Sequence, residues 1–230
     1  MKNPWVNIVY GKEIYLKDDQ NSLEKIKDKL KLSLGHFPQP FLGSPSAPFY
    51  LLLSNPGLSE EDMDEISWIN LSSQLKIELV NNLDHVSNGF VFLNIAQKTP
   101  ANIWWNRVFS YYRKLLPENA APNFSQLIAN TFFVVELFPY HSVRFDPRIL
   151  KSQFLSVEYN KYLVENAIQN DKTIIIGRAV RSWFNLVPQL KTYEKCYFLS
   201  KNRSIVLSET TLFPSLLINT INAFQHNIKL

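Results

Sequence analysis

The side chains of this chain best placed to do chemistry follow its apolar runs. "YLLL" at 50–53 stops at Ser54 and is followed by Asn55-Pro56-Gly57-Leu58-Ser59. "NTFFVVELF" at 130–138 carries Glu136 and leads into "PYHSVRFDP", with His141, Ser142 and Arg144. "KTIIIG" at 172–177 ends at Gly177 and is followed by Arg178, and "KCYFLS" at 195–200 runs into Lys201-Asn202-Arg203-Ser204. The set comprises amides, hydroxyls, one carboxylate and several cations, which can orient and hold a polar or anionic ligand. "IIIGRAV" has a single glycine and is no dinucleotide fingerprint. No serine sits in a Gly-x-Ser-x-Gly elbow. These absences argue against the common hydrolase and dehydrogenase sites. The four histidines are scattered, and the one cysteine, Cys196, can neither pair within the chain nor build a Cys-held metal site. No metal and no cofactor are expected.

The elements that must position these groups are legible as patterns. Buried strands are expected at 49–53, 130–138, 172–177 and 195–200, each a continuous apolar or aromatic run. Helices are expected at 21–34, 59–83, 102–116, 149–170, 178–187 and about 211–226. Ser59, with Asp62 three residues on, reads as the N-cap of the second. Residues 35–48 hold four prolines and two glycines and read as a structured loop. "GFVFLNIAQ" at 89–97 fits neither pattern. Continuous apolar strands alternating with helices predict a three-layer α/β/α sandwich with a mostly parallel sheet of four to five strands. Ligands of such sheets bind beyond the carboxyl ends of the strands, where the polar loops fall.

The 230 residues suit one domain, with 1–48 forming a helix and Pro-rich loop packed on it. Hydrophobic residues make up 46% and charged residues 19%, enough for a large core. A net charge of +4 and a pI near 9.0 are compatible with a polyanionic partner and equally with an ordinary basic protein. The N-terminus lacks a signal peptide's apolar stretch, and no apolar run is long enough to span a bilayer. A cytoplasmic monomer with no membrane partner is expected.

"SNPGLS" at 54–59 resembles the first motif of the uracil-DNA glycosylase superfamily, in its mismatch-specific uracil/thymine branch. "GFVF" at 89–92, "TPAN" at 99–102 and "WWNRVF" at 104–109 resemble that branch's base-stacking segment and tryptophan-bearing helix. "NRSIVLS" at 202–208 stands where the family's last motif falls but lacks its proline, and the gap between "NPGLS" and "GFVF" is longer than in the branch. The resemblance implies a base-flipping enzyme that hydrolyses the N-glycosidic bond of an aberrant or modified base in DNA, duplex or single-stranded. Asn55 would then orient the attacking water. Pro56 and Gly57 would line the base site, and backbone N–H groups around Pro56–Leu58 would take up charge on the leaving base. Phe92, with Phe90 as the alternative, would stack on the base. Lys201, Asn202, Arg203 and Ser204 would hold the DNA backbone or fill the gap left by the flipped base. Glu136 stands where related enzymes place a base-reading residue. A carboxylate there would suit an exocyclic amino group better than plain uracil.

Plainer readings stand beside these. Asn55-Pro56-Gly57 is also an ordinary turn. Phe92 could be core, and at least one of Trp104 and Trp105 should pack inside. Glu136 could pair with Arg144 or Arg178. The chain could be a catalytically inactive nucleic-acid-binding relative. It could also be a small-molecule hydrolase or transferase using Glu136 and His141.

Overall fold

The computed structural model describes residues 1–58, 68–86, 89–93, 99–199 and 205–228. It is a mixed α/β fold around a mostly parallel five-stranded sheet. In chain order the strands are β1 (Ile8–Val9), β2 (Tyr15–Leu16), β3 (Leu32–Ser33), β4 (Phe41–Leu42), β5 (Phe49–Leu53), β6 (Phe132–Glu136), β7 (His141–Ser142), β8 (Thr173–Ile176) and β9 (Cys196–Phe198). The helices are α1 (Gln20–Ile26), α2 (Ser73–Leu83), α3 (Pro100–Val108), α4 (Ser110–Lys114), α5 (Phe124–Thr131), α6 (Leu155–Gln169), α7 (Val180–Leu186) and α8 (Pro214–Ile228).

The main sheet runs β4-β6-β5-β8-β9. β5 pairs in parallel with β6 and β8, β8 pairs in parallel with β9, and β4 closes one edge antiparallel to β6. Every residue of β5 and β6 is buried, as expected for parallel strands covered on both faces. The register sets Leu53 opposite Glu136 and Leu52 opposite Ile176. Three of the polar loops therefore leave the sheet at one edge. One hydrophobic cluster runs from Trp5 in the N-terminal segment to Phe224 in α8.

Several expectations shift. The helix read at 21–34 stops at Ile26. Lys25, Lys27, Lys29 and Lys31 place like charges four residues apart, which disfavours continuing it. Lys31 takes a left-handed conformation (φ 49°), Leu32 N–H donates to the Lys27 carbonyl, and Lys31 N–H donates to that of Asp28. This is a helix-terminating Schellman arrangement. It frees Leu32 and Ser33 to pair with β7. The loop read at 35–48 includes the edge strand β4, which pairing with β6 imposes on Phe41 and Leu42. Within the helix read at 59–83, Trp68–Asn70 form a 3₁₀ turn, and the α-helix starts only at Ser73, capped by the Ser72 hydroxyl accepting from Leu75 N–H. The cap read at Ser59 lies outside the described residues. The helix read at 102–116 starts earlier, at Pro100, under a Thr99 cap and breaks at Phe109 into α3 and α4. α5 was not read from the sequence at all. Cys196, on the edge strand β9, is half-buried.

The longest connection to the N-terminal segment is made by Asp19. Its fully buried carboxylate accepts from the Tyr140 hydroxyl (2.8 Å) and from the N–H groups of Leu155 (2.7 Å) and Ser156 (3.3 Å). Asp19 thereby satisfies the open N-terminus of α6, which its preceding residue, Phe154, cannot cap. Replacement by Ala strands three buried donors. Asp19→Ala is expected to cost about 3 kcal/mol in denaturant unfolding.

Candidate functional site

A cavity of about 520 Å³ opens at the carboxyl edge of the sheet. Asn55, Pro56, Gly57, Phe92, Glu136, His141, Ser142 and Arg178 all line it. The fold therefore brings together every predicted site residue except the 201–204 group. Lys201, Asn202, Arg203 and Ser204 lie outside the described residues.

The Asn55 loop leaves β5 anchored by hydrogen bonds from two neighbouring segments. Trp183 Nε1 and Leu137 N–H donate to the Leu53 carbonyl (2.8 and 3.2 Å), and Phe138 N–H donates to that of Ser54 (3.0 Å). Gly57 then makes a parallel bridge to Ser142. The Asn55 amide faces three acceptors: Ser142 Oγ (3.0 Å), the Pro56 carbonyl (3.0 Å) and the Ser142 carbonyl (3.5 Å). Ser142 spends its one hydroxyl proton on the Arg144 carbonyl (3.0 Å), so its oxygen can only accept from Asn55. The nitrogen of the amide must therefore face inward, toward these groups. Oδ1 is left as an acceptor in the pocket wall. The turn is ordinary in its backbone but not in what it does with the side chain.

Gly57 is exposed, and a Cβ added there would meet nothing within 4 Å. Packing does not require the glycine; its lack of a side chain leaves room for a ligand. Pro56 is buried and has no N–H, and its carbonyl accepts from Asn55, so its ring serves as wall.

Glu136 is 6% exposed, and its Oε2 is buried without a hydrogen-bond partner among the described residues. The sequence allowed ion pairs with Arg144 or Arg178. Neither is among the ion pairs formed by described residues; both arginines are exposed. Burial pushes the carboxyl up to about 8, against the opposing pull of Arg178. Near neutral pH it is therefore mainly the uncharged acid. The expected carboxylate is corrected on this point: an acid donates as well as accepts.

His141 is buried, and both ring nitrogens are engaged. Nδ1 meets the Gly57 carbonyl (3.3 Å), and Nε2 meets the Phe37 carbonyl (3.1 Å) and the Gln39 amide (3.3 Å). Burial, and then His36 at a ring distance of 5.3 Å, lower its pKa to about 4. It braces the loop as a neutral ring. Among the aromatics, Phe92 lines the cavity, whereas Phe90 packs against Trp105 and Phe109 in the core. Trp105 is buried, and Trp104 stands edge-on to it at 4.4 Å and reaches the cavity. Ser142 and Trp104 carry roles that the sequence reading did not assign. The adjacency of "HS" to the strand-end Glu136 was the available signal for Ser142. Arg144 and Arg178 set two cations on the rim.

Among the described residues no group of His, Cys, Asp and Glu could hold a metal ion, and no helix is long and apolar enough to cross a membrane. Comparison of the chain with family models, with curated proteins and with solved structures returns no match.

Two outcomes follow from this geometry. Between the ordinary carboxyl value of 4.5 and about 8, the folded chain holds a proton at Glu136 that the unfolded chain has released. Wild-type stability therefore loses ground at this residue as pH rises through that window. Glu136→Gln removes the slope, so its advantage in Tm over wild type should widen from pH 5 to pH 8 and level off above. Gly57→Ala should change stability by no more than about 0.5 kcal/mol, while ligand binding falls because the new methyl group occupies pocket space.

Proposed function

We propose that this chain is a DNA glycosylase-like enzyme of the uracil-DNA glycosylase type, built as a three-layer α/β/α sandwich, that hydrolyses the N-glycosidic bond of a flipped-out base. The observation that carries the reading is the forced orientation of Asn55. A strand-end amide with its nitrogen tied to three acceptors and its Oδ1 turned to a cavity is suited to hold a water molecule by one of its protons. The "SNPGLS" resemblance points to the same residue.

In this mechanism the base enters the cavity and lies against Phe92, with Trp104 nearby. The C1′–N bond breaks with oxocarbenium character at the sugar. Water held by Asn55 Oδ1 adds to C1′ and loses a proton to solvent, and the base departs with the bonding pair. An amide is a weak base, so positioning rather than proton abstraction is its contribution. Arg144 and Arg178 on the rim suit phosphates flanking the flipped nucleotide. The reading that pairs Glu136 with His141 as acid and base draws no support from a histidine committed at both nitrogens to the scaffold.

The test is base release from oligonucleotides carrying uracil, a G·T mismatch or modified pyrimidines. Asn55→Ala is expected to lower single-turnover release by about 10²-fold or more. Ser142→Ala, which frees the amide to rotate, should lower it less, with DNA binding retained. Undiminished release by Asn55→Ala overturns the mechanism. Salt-dependent DNA binding without release from any substrate in the panel leaves an inactive binding relative instead.

A further inference from the structure

Charged residues make up 19% of the chain, but the stretches 119–135 and 210–228 hold no Asp, Glu, Lys or Arg. They contain α5 and α8, and the fold brings these two helices side by side. Asn227 Nδ2 donates to Thr131 Oγ1 (3.1 Å), and the rings of Phe124 and Phe224 lie 6.4 Å apart. Two segments far apart in sequence thus build one uncharged part of the molecule.

α8 carries two apolar seams. The inner one, Leu216, Leu217, Thr220 and Phe224, is buried, and the Tyr112 hydroxyl donates to Thr220 Oγ1 (2.7 Å). The second runs along the flank of the helix, where Ile218, Ile221, Gln225 and Ile228 follow at intervals of three, four and three residues. This is the spacing with which one helix meets another along its length. Ile218 is 56% exposed, Ile221 and Ile228 are half-buried, and Gln225 is exposed. Ser215, Asn219 and Asn222 are the exposed fringe on α8, and α5 exposes Gln126 and Asn130. None of these residues is among those lining the cavity. Single exposed apolar side chains are ordinary on a protein surface. A helix that faces only water, however, sets charged residues opposite its buried stripe. Depletion of charge around apolar groups marks the centre of a protein interface.

The chemistry of this face narrows its occupant. Nucleic acids and anionic membranes are held by cations, and charged peptides by counter-charges. Neither helix offers any. The polar groups it does offer are amides, each both donor and acceptor. Across a two-fold axis a surface meets itself. Amides and isoleucines are satisfied by their own kind, whereas charges of one sign repel. An uncharged face also lets two chains of net charge +4 meet without like charges in contact.

We propose that α8 is the contact face of a homodimer, its Ile218–Ile221–Gln225–Ile228 strip packed antiparallel on a second copy across a two-fold axis. This replaces the monomer expected from sequence. It covers no residue that lines the cavity and does not depend on what the cavity binds. Centred at the level of Ala223, the pairing brings Ile218 to Ile228 of the partner subunit and sets the two Gln225 side chains beside the axis. An amide within an otherwise apolar seam fixes the register of two helices.

The test is sedimentation velocity of the whole chain from about 5 to about 500 µM. One helix packed on another is a small interface, so wild type should pass from monomer to dimer with a Kd of about 10–100 µM. Ile218→Ser removes an apolar contact that a two-fold counts twice, and should weaken association at least about tenfold. Gln225→Glu and Gln225→Lys each set like charges beside the axis and should weaken it at least about fivefold. All three positions are exposed, so unfolding midpoints should stay close to that of wild type. An equimolar mixture of the Gln225→Glu and Gln225→Lys chains should associate more tightly than either alone, because unlike charges then face each other. Raising salt from about 50 to about 500 mM should leave wild-type association unchanged or stronger, the reverse of its effect on nucleic-acid binding. A wild-type chain that stays monomeric to about 500 µM overturns the proposal. So does association by Ile218→Ser equal to that of wild type, a mixture no tighter than its components, or a dimer that salt dissociates.

Discussion

Burial of β5 on every side is the constraint from which the rest of the structure follows. Its five residues are buried, so each backbone donor and acceptor must find a partner in β6 or β8. That requirement sets a register, and the register sets where each strand ends. Leu53 stands beside Glu136, and the chain between β5 and the Asn55 turn is clamped by Leu137, Phe138 and Trp183. Gly177, next to this point, leaves too little room for a side chain: a Cβ there would sit 2.9 Å from Leu53 Cδ2. The polar groups at the strand ends are thus held on buried, fully hydrogen-bonded backbone.

At this edge the fold accepts electrostatic costs that a purely structural region would avoid. Glu136 keeps its proton because it is buried and, among the described residues, no cation forms an ion pair with it. His141 gives up its proton for the same reason and because His36 lies close by. The two shifts have opposite consequences. The histidine becomes a neutral ring with one proton, which it donates to either the Gly57 or the Phe37 carbonyl, and is part of the frame. The carboxyl becomes a donor and acceptor with no frame to serve. Perturbed groups concentrated in one cavity are a mark of a functional site, and here the difference in their partners separates the scaffold residue from the one left for a ligand.

Much of this was legible before any coordinates. Runs such as "FFVVE" and "TIII" have no plausible home except a buried strand, and their spacing by helices leads to a mostly parallel sheet. The failures have local physical causes. α1 ends early because repeated lysines and a left-handed Lys31 stop it, whereas its apolar spacing continues to Leu34. β4 was hidden in a proline-rich stretch because an edge strand of two residues is made by its neighbour, not by its own propensity. α5 passes straight into β6 at Thr131–Phe132, with no turn residue to announce the boundary.

The amino-acid sequence by itself determined which side chains stand at the sheet's ligand edge, because a strand's length and polarity pattern decide where it must stop. It placed Asn55, Glu136, His141 and Arg178 there. Only the tertiary structure decided what those groups are. Whether Phe90 or Phe92 faces the cavity depends on how α3 packs. Which end of the Asn55 amide points outward depends on Ser142 and Arg144, nearly ninety residues away. Whether Glu136 carries a charge depends on how much water the surrounding segments exclude. Partners and dielectric are properties of what folds around a residue, and no spacing along the chain encodes them.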